Sequence, residues 1–477
     1  MRILTRPNVG GPTRQAVALW HEFAALGWQT LLVVGRCEGE AAFDLRRAGI
    51  PELALDAVDR ASAGFVELPL LRRGLHPLRD PLVSWRLGSL VRAFAPDVVH
   101  THTSKAGVLG RQAAWETEVA VVAHTFHGHV LQDYFGRWRS RLVRWVERRL
   151  ARRTDLLFAV SPSCRDELVA YGVAPAERIE VVPPAVETVA FAAGSRTQAR
   201  AELGLADDVF VLGFVGRLVP IKRPQWFGSV VAQIDDAVGL VFGDGPLRQD
   251  LAAQPRLHLL GATARLAELL PACDVLVFTS VREGCPLAAV EAFAAGVPVV
   301  GLSVPGVRDV LGAWGHGVLV EEAAGVDGLV AACAELRAPE RRAAVAADAR
   351  QAVGRFAPAA VAQQLASAYE GTLAAAAQRR PRFGIPRTQP GWLDHAAALV
   401  LQLVGLCVVA APFADVVPAA EPPLWWDVAA VGTVVFALAA WRALALRGTM
   451  CGCWMAGAAT LAAVGLGLVA LRALGWL

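Results

Sequence analysis

The stretch "VFVLGFVGR" (209–217) decides how the chain is divided. It is an apolar run of strand length, apolar on both faces, that closes on Gly216 and Arg217. Strands of that kind belong in parallel sheets covered by helices on both sides. Upstream, similar runs recur with helix-length stretches between them: "RIL" (2–4), "TLLVV" (30–34), "DVVHTH" (97–102), "VAVVAHTF" (119–126) and "LLFAVS" (156–161). From residue 209 the series starts afresh and continues with "VGLVFGDG" (238–245), "LHLLG" (257–261), "DVLVFTS" (274–280), "VPVVGLS" (297–303) and "GVLV" (317–320). Two series in tandem predict two doubly wound, Rossmann-like α/β domains. Paired prolines in "VVPPAVE" (181–187) suit a hinge between them. The expected division is 1–184 and 185–376.

Past residue 376 the character changes. Arginines at 379, 380, 382 and 387 make a basic linker over 377–394. "HAAALVLQLVGLCVVAAPFA" (395–414) then holds 20 residues without Lys, Arg, Asp or Glu. Further apolar stretches cover 428–446 and 448–471. Each is long enough to cross a bilayer, so 395–477 reads as a membrane domain of about three helices. Basic residues before the first stretch, and acidic residues Asp415, Glu421 and Asp427 after it, predict cytoplasmic catalytic domains on the inner membrane.

Composition narrows the function classes. A formal charge of +3 over 477 residues offers no electrostatic case for nucleic acid as a partner. Of the 46 basic residues only Lys105 and Lys222 are lysines. A lysine kept in an arginine-dominated chain suggests a site that wants a compact ammonium. The 8 cysteines form no even framework and no CxxC pair, which fits free thiols in a reducing compartment. "MRILTRPNVGG" has no apolar core of a signal peptide and reads as a strand.

The chemistry concentrates at strand ends. In "REGCPLAAVEAFAAG" (282–296), Pro286 suits the first turn of a helix that Gly296 ends. The amides of Gly284, Cys285 and Leu287 then lie at the helix N-terminus, a natural anion site. Glu283 stands at the mouth of the preceding strand and Glu291 about one and a half turns into the helix. Phosphate at the amides and one carboxylate for each of two vicinal diols would suit a sugar diphosphate. A dipole-favoured Glu plus an unrelated Glu fits the same spacing.

"EGCPLAAVE" resembles the E-x7-E motif of retaining glycosyltransferases of family 4, which have the two-domain GT-B fold. The resemblance implies that Glu283 holds donor-sugar hydroxyls and Glu291 the ribose. "GFVGRLVPIKRP" (213–224) is similar to the family's G-R-x(4)-K element, implying that Arg217 and Lys222 neutralise the departing diphosphate. The physical need is a fixed positive field where negative charge grows. No D-x-D occurs in the chain, so no metal is expected, and no cofactor beyond the nucleotide sugar as co-substrate. Gly216, and Gly243 and Gly245 of "VFGDGPLR" (241–248), would lie along the nucleotide; "SVPGVRDVL" (303–311) resembles a later glycine loop.

In the first domain "NVGGPTRQ" (8–15) places Gly10 and Gly11 where backbone must approach the donor. It is not G-x-G-x-x-G, so no nicotinamide site is supported. "HTHTSKAGVLGR" (100–111) and "HTFHGH" (124–129) look like the branch of family 4 that builds surface and capsular polysaccharides on lipid carriers. That implies His127 beside the donor sugar, with His102 and Lys105 towards an acceptor such as a polyprenyl-diphosphate-linked saccharide. "FGRWRSRLVRWVERRLARR" (135–153) has eight arginines, one acid and a stripe of Trp138, Leu142, Trp145, Val146 and Leu150. It fits an amphipathic helix on anionic membrane lipids, or one packed on the sheet.

The function expected is a retaining, metal-independent hexosyltransferase. It would move a hexose or N-acetylhexosamine from a nucleoside-diphosphate sugar to a lipid-linked saccharide in surface-polysaccharide synthesis. A GT-B sugar-nucleotide epimerase and an inactive membrane-tethered scaffold are the alternatives.

Overall fold

The computed structural model describes residues 1–38, 42–74, 76, 79–128, 137–315 and 317–379. The first sheet comprises β1 (Arg2–Leu4), β2 (Leu31–Gly35), β3 (Gly64–Leu68), β4 (Val98–His102), β5 (Val121–Phe126), β6 (Leu156–Ala159) and β7 (Ile179–Val181), in spatial order 3-2-1-4-5-6-7. The second comprises β8 (Phe210–Val215), β9 (Ala237–Phe242), β10 (Leu257–Gly261), β11 (Val275–Phe278), β12 (Val299–Leu302) and β13 (Val318–Val320), in order 10-9-8-11-12-13. All the strand pairings within both sheets are parallel. Each order reverses beside its first strand, between β1 and β4 and between β8 and β11, the switch points where such sheets open a crevice at their carboxyl ends.

All six strands expected after residue 208 form, and five of the seven before it were visible as apolar runs. The two that were not, β3 and β7, lie at the edges of the first sheet, where Glu67 and Glu180 interrupt the apolar pattern. Edge strands have one unpaired side and tolerate such interruptions.

The second lobe has a continuous core running from Val186 and Phe210 to Phe356. A carboxylate sits inside it, against a buried arginine. Asp274, 3% exposed and just ahead of β11, receives Arg196 at 2.7 Å, Arg200 at 3.3 Å and the Val211 amide at 2.8 Å, with Arg342 at 3.4 Å. A buried carboxylate is tolerated because every lone-pair direction meets a donor.

The helix Pro358–Arg379 returns to the first lobe, where Val361, Ala362, Leu365, Ala366 and Tyr369 join the core made by Leu19, Phe23, Val121 and Phe158. At about 1.5 Å per residue it would be long enough to span a bilayer. Gln363, Gln364 and Glu370 make it amphipathic instead, and its apolar face is spent on the first lobe. Among the described residues no helix is long and apolar enough to cross a membrane. This corrects the expected fold class: the architecture comprises two Rossmann-like domains, and neither transmembrane helices nor a multi-pass inner-membrane location is supported. The apolar stretches at 395–414, 428–446 and 448–471 lie outside the described residues.

The arginine-rich helix forms as Arg137–Arg153. Val146 and Ala151 are buried, and Glu147 turns inward to pair at 2.9 Å with Arg111, which is wholly buried. The helix is therefore packed on the first lobe through that face, while Trp145 is left 43% exposed.

Candidate active site

The carboxyl end of β8 supplies the cationic side of the crevice. After Gly216 the chain passes exposed Arg217 and turns through a short 3-10 segment, Pro220–Lys222. The end of β11 pins this turn: Thr279 Oγ1 donates to the carbonyls of Lys222 (2.7 Å) and Arg223 (3.0 Å), and the Val281 amide to Ile221 (2.9 Å). Gly243 is packed so tightly on this loop that a Cβ would lie 1.9 Å from the Gly216 carbonyl oxygen, at φ +152°. Only glycine meets both demands.

Lys222 Nζ forms an ion pair with Glu283 Oε1, which also accepts from Ser280 Oγ at 2.6 Å. Two motifs 61 residues apart thus converge on one carboxylate. The Glu283 amide donates to the Pro305 carbonyl at 3.1 Å, so the loop over 303–311 holds this segment from behind. The helix that follows is Leu287–Ala295, with Gly296 ending it in the left-handed region at φ +72°. Gly284 and Cys285 immediately precede its N-cap, Pro286.

Glu291 is 1% exposed, and its partner comes from the other lobe. Arg14, on the helix Gly11–Ala25 that begins at the Gly10–Gly11 turn, forms an ion pair with Glu291 Oε1. Burial pushes the Glu291 carboxyl above its ordinary range, and the Arg14 guanidinium opposes that shift.

Other contacts close the crevice. A Cβ on Gly284 would lie 2.5 Å from the His127 carbonyl oxygen, and one on Gly11 would lie 3.3 Å from Leu287 Cδ1. Ser163 donates through its amide (3.0 Å) and its hydroxyl (2.9 Å) to the two oxygens of Asp309. Gly11, Arg14 and His127 of the first lobe therefore meet Leu287, Glu291 and Gly284 of the second, respectively, while Glu283 joins Lys222 on the adjoining loop that Gly216 and Arg217 begin.

Behind His127 lies a stack of imidazoles. His100 and His102, alternate residues of β4, have ring centroids 4.3 Å apart. His102 Nδ1 is 2.9 Å from His127 Nε2, His100 Nδ1 is 2.5 Å from the Tyr369 hydroxyl, and His124 Nδ1 is 2.8 Å from Thr101 Oγ1. Desolvation lowers the pKa of all four, and that of His127 falls to about 3 with the Arg2 guanidinium adding to the effect. Each ring is therefore neutral near pH 7, suited to hydrogen bonding rather than to holding a charge. Of the four, His127 alone keeps partial access to solvent.

The two residues expected to face the acceptor are both buried. His102 is 1% exposed and sits behind His127. Lys105 is 7% exposed, with Nζ 2.6 Å from Asp80 Oδ1 and 2.5 Å from the Gly74 carbonyl. It lies in the first turn of the helix Ser104–Glu116, and its charge is already compensated. His129 lies outside the described residues. Among them no group of three or more His, Cys, Asp or Glu side chains is arranged to hold a metal.

Arg14, Ser280 and Tyr369 were not legible beforehand. A cation one turn past the glycine pair was a usable signal for Arg14. Nothing in the local pattern announced Tyr369, whose contacts lie 269 residues away.

Comparison with known proteins agrees with this geometry. Residues 10–185 match a glycosyl transferase 4-like domain and residues 209–338 the glycosyl transferases group 1 domain. An Escherichia coli UDP-Gal:alpha-D-GlcNAc-diphosphoundecaprenol alpha-1,3-galactosyltransferase is 32% identical over 264 residues, covering 52% of this chain and 68% of the relative. A D-inositol 3-phosphate glycosyltransferase of Geodermatophilus obscurus is 31% identical over 329 residues, covering 62% and 71%. In fold, a crystal structure of Anabaena Alr3699/HepE in complex with UDP and glucose aligns with TM-score 0.62 at 21% identity, over 78% of this chain and 98% of that one. Sucrose-phosphate synthase from Thermosynechococcus elongatus aligns with TM-score 0.63 at 20% identity, over the same shares. With both halves of its crevice matched, this chain belongs to the glycosyltransferases of family 4, of GT-B fold.

Proposed function

We propose that this glycosyltransferase moves a hexose or N-acetylhexosamine from a nucleoside-diphosphate sugar to a saccharide linked through diphosphate to a lipid, with retained configuration. The observation that carries the reading is the Lys222–Glu283 ion pair next to Gly284, which packs against the His127 backbone carbonyl of the other lobe. In this reading the acceptor hydroxyl oxygen bonds to the anomeric carbon on the face from which the diphosphate leaves. The carbon–oxygen bond to the diphosphate breaks, and the hydroxyl proton passes to the leaving phosphate oxygen. No side chain need form a covalent bond. Arg217 and Lys222 stabilise the growing charge with the amides of Gly284, Cys285 and Leu287, Glu283 and His127 hold the sugar, and Glu291 binds the ribose. Gly10 and Gly11 let the protein backbone approach the donor closely, with Gly216, Gly243 and Gly245 along the nucleotide. Such a reaction needs no redox cofactor.

The lipid-diphosphate acceptor is supported by likeness to the Escherichia coli galactosyltransferase, whose name specifies a diphosphoundecaprenol-linked GlcNAc acceptor. Because Lys105 is already paired with Asp80, it could receive an acceptor phosphate only by exchanging that partner.

Incubation with a panel of nucleotide sugars and diphosphate-linked lipid acceptors tests the reading. Release of nucleoside diphosphate with an α-linked product from an α-linked donor is expected. An epimerised sugar nucleotide would select the epimerase alternative, and no turnover with any pair the scaffold.

A further inference from the structure

His102 and His127 share a hydrogen bond of 2.9 Å between His102 Nδ1 and His127 Nε2. Between two neutral imidazoles that bond contains one proton, and desolvation of both rings keeps them neutral. The proton has two possible owners, and they differ at the far nitrogen of His102. If His127 Nε2 donates, His102 must carry its proton on Nε2. If His102 Nδ1 donates, Nε2 is a bare lone pair. His102 Nε2 is buried and has no hydrogen-bond partner among the described residues. An orphaned buried N–H is rarer than an orphaned acceptor, so the second arrangement wins.

We propose that His102 is a positioning residue: it donates from Nδ1 to His127 Nε2 and so fixes His127 as the Nδ1–H tautomer. His127 then meets the donor sugar as a hydrogen-bond donor, able to hold a hydroxyl oxygen and unable to act as a base. The inference rests on the proposed place of His127 beside that sugar. It also gives buried His102 a task that acceptor binding cannot, since its ring lies behind His127.

The tautomer can be read without substrate. In the full-length protein labelled with 15N-histidine, two-bond proton–nitrogen correlation near pH 7 should show His127 protonated at Nδ1 and bare at Nε2; H127Q identifies the resonances. The opposite tautomer, or an imidazolium, would overturn the proposal. Kinetics provide the second arm. H102L removes the donor and should lower kcat/KM for the nucleotide sugar about tenfold, the scale of one hydrogen bond. H102N keeps an amide N–H near the Nδ1 position and should restore most of it. Equal losses in both variants would mean ring packing alone. A wild-type protein inactive on every donor would defeat the proposed function while leaving the spectroscopic result standing.

Discussion

Arg14 of the first lobe is ion-paired to Glu291 of the second, so the carboxylate assigned to the ribose is held from across the crevice. Glu291 is 1% exposed, whereas the Arg14 side chain keeps 34% of its surface. The pair ties lobe closure to the charge state of one acid.

Replacing Arg14 by alanine should therefore cost about 1–2 kcal/mol, less than for a fully buried pair because Arg14 is partly solvated. The loss should shrink in R14A/E291Q, where no buried charge remains. Chemical denaturation of the single and double variants measures it. A double variant less stable than R14A would argue against the pair.

The same pair predicts a pH dependence. Burial raises the Glu291 carboxyl above its ordinary 4.5, so between the unfolded and folded values the native state binds more protons. The stability contribution of that shift is present at low pH and is lost as pH rises through the folded value. Without Arg14 the folded value rises further. The melting-temperature gap between wild type and R14A should be small near pH 4.5 and widen towards neutrality. A constant gap would rule out the electrostatic origin.

Lys222→Ala should lower turnover about 10²–10³-fold, the range for removing one preorganised charge from a developing anion. Lys222 is partly exposed and Ser280 still donates to Glu283, so the fold should survive, as circular dichroism would show. Near-normal turnover would remove the leaving-group role.

Gly284→Ala tests the closed crevice. Its Cβ would stand 2.5 Å from the His127 carbonyl oxygen, a backbone atom that can yield only if the lobes part. The expected result is a donor KM raised about tenfold or more with little change in melting temperature, since misplacement by about 1 Å costs heavily in a positioned reaction. Unchanged KM would show that the two loops do not meet during turnover.

Asp274→Ala should destabilise the second lobe by about 3–5 kcal/mol, because it strands buried Arg200 and leaves the Val211 amide without its acceptor. Urea unfolding would read this as a lowered midpoint. A change below about 1 kcal/mol would mean that water or a neighbouring carbonyl replaces the carboxylate.

The local sequence alone determined the two parallel-sheet lobes, because strands buried on both faces must be apolar throughout, as "VFVLGFVGR" and "DVLVFTS" are. It also marked Lys222, Glu283, Glu291 and the glycines around them, since a strand end followed by a helix start fixes where such residues stand. Beyond residue 394 long apolar stretches suggested membrane helices, whereas among the described residues no helix is long and apolar enough to cross a membrane.

Only tertiary structure decided who meets whom. Arg14 and Glu291 are 277 positions apart, from numbering alone, and nothing in either segment encodes the other. His102 and Lys105 looked ready for an acceptor until the packing of β4 and its helix buried both. Tyr369 reached His100 because the last described helix crossed back to the first lobe. The reason is physical. Periodicity reports which face of an element is dry, but the identity of the neighbour on that face depends on how distant elements pack.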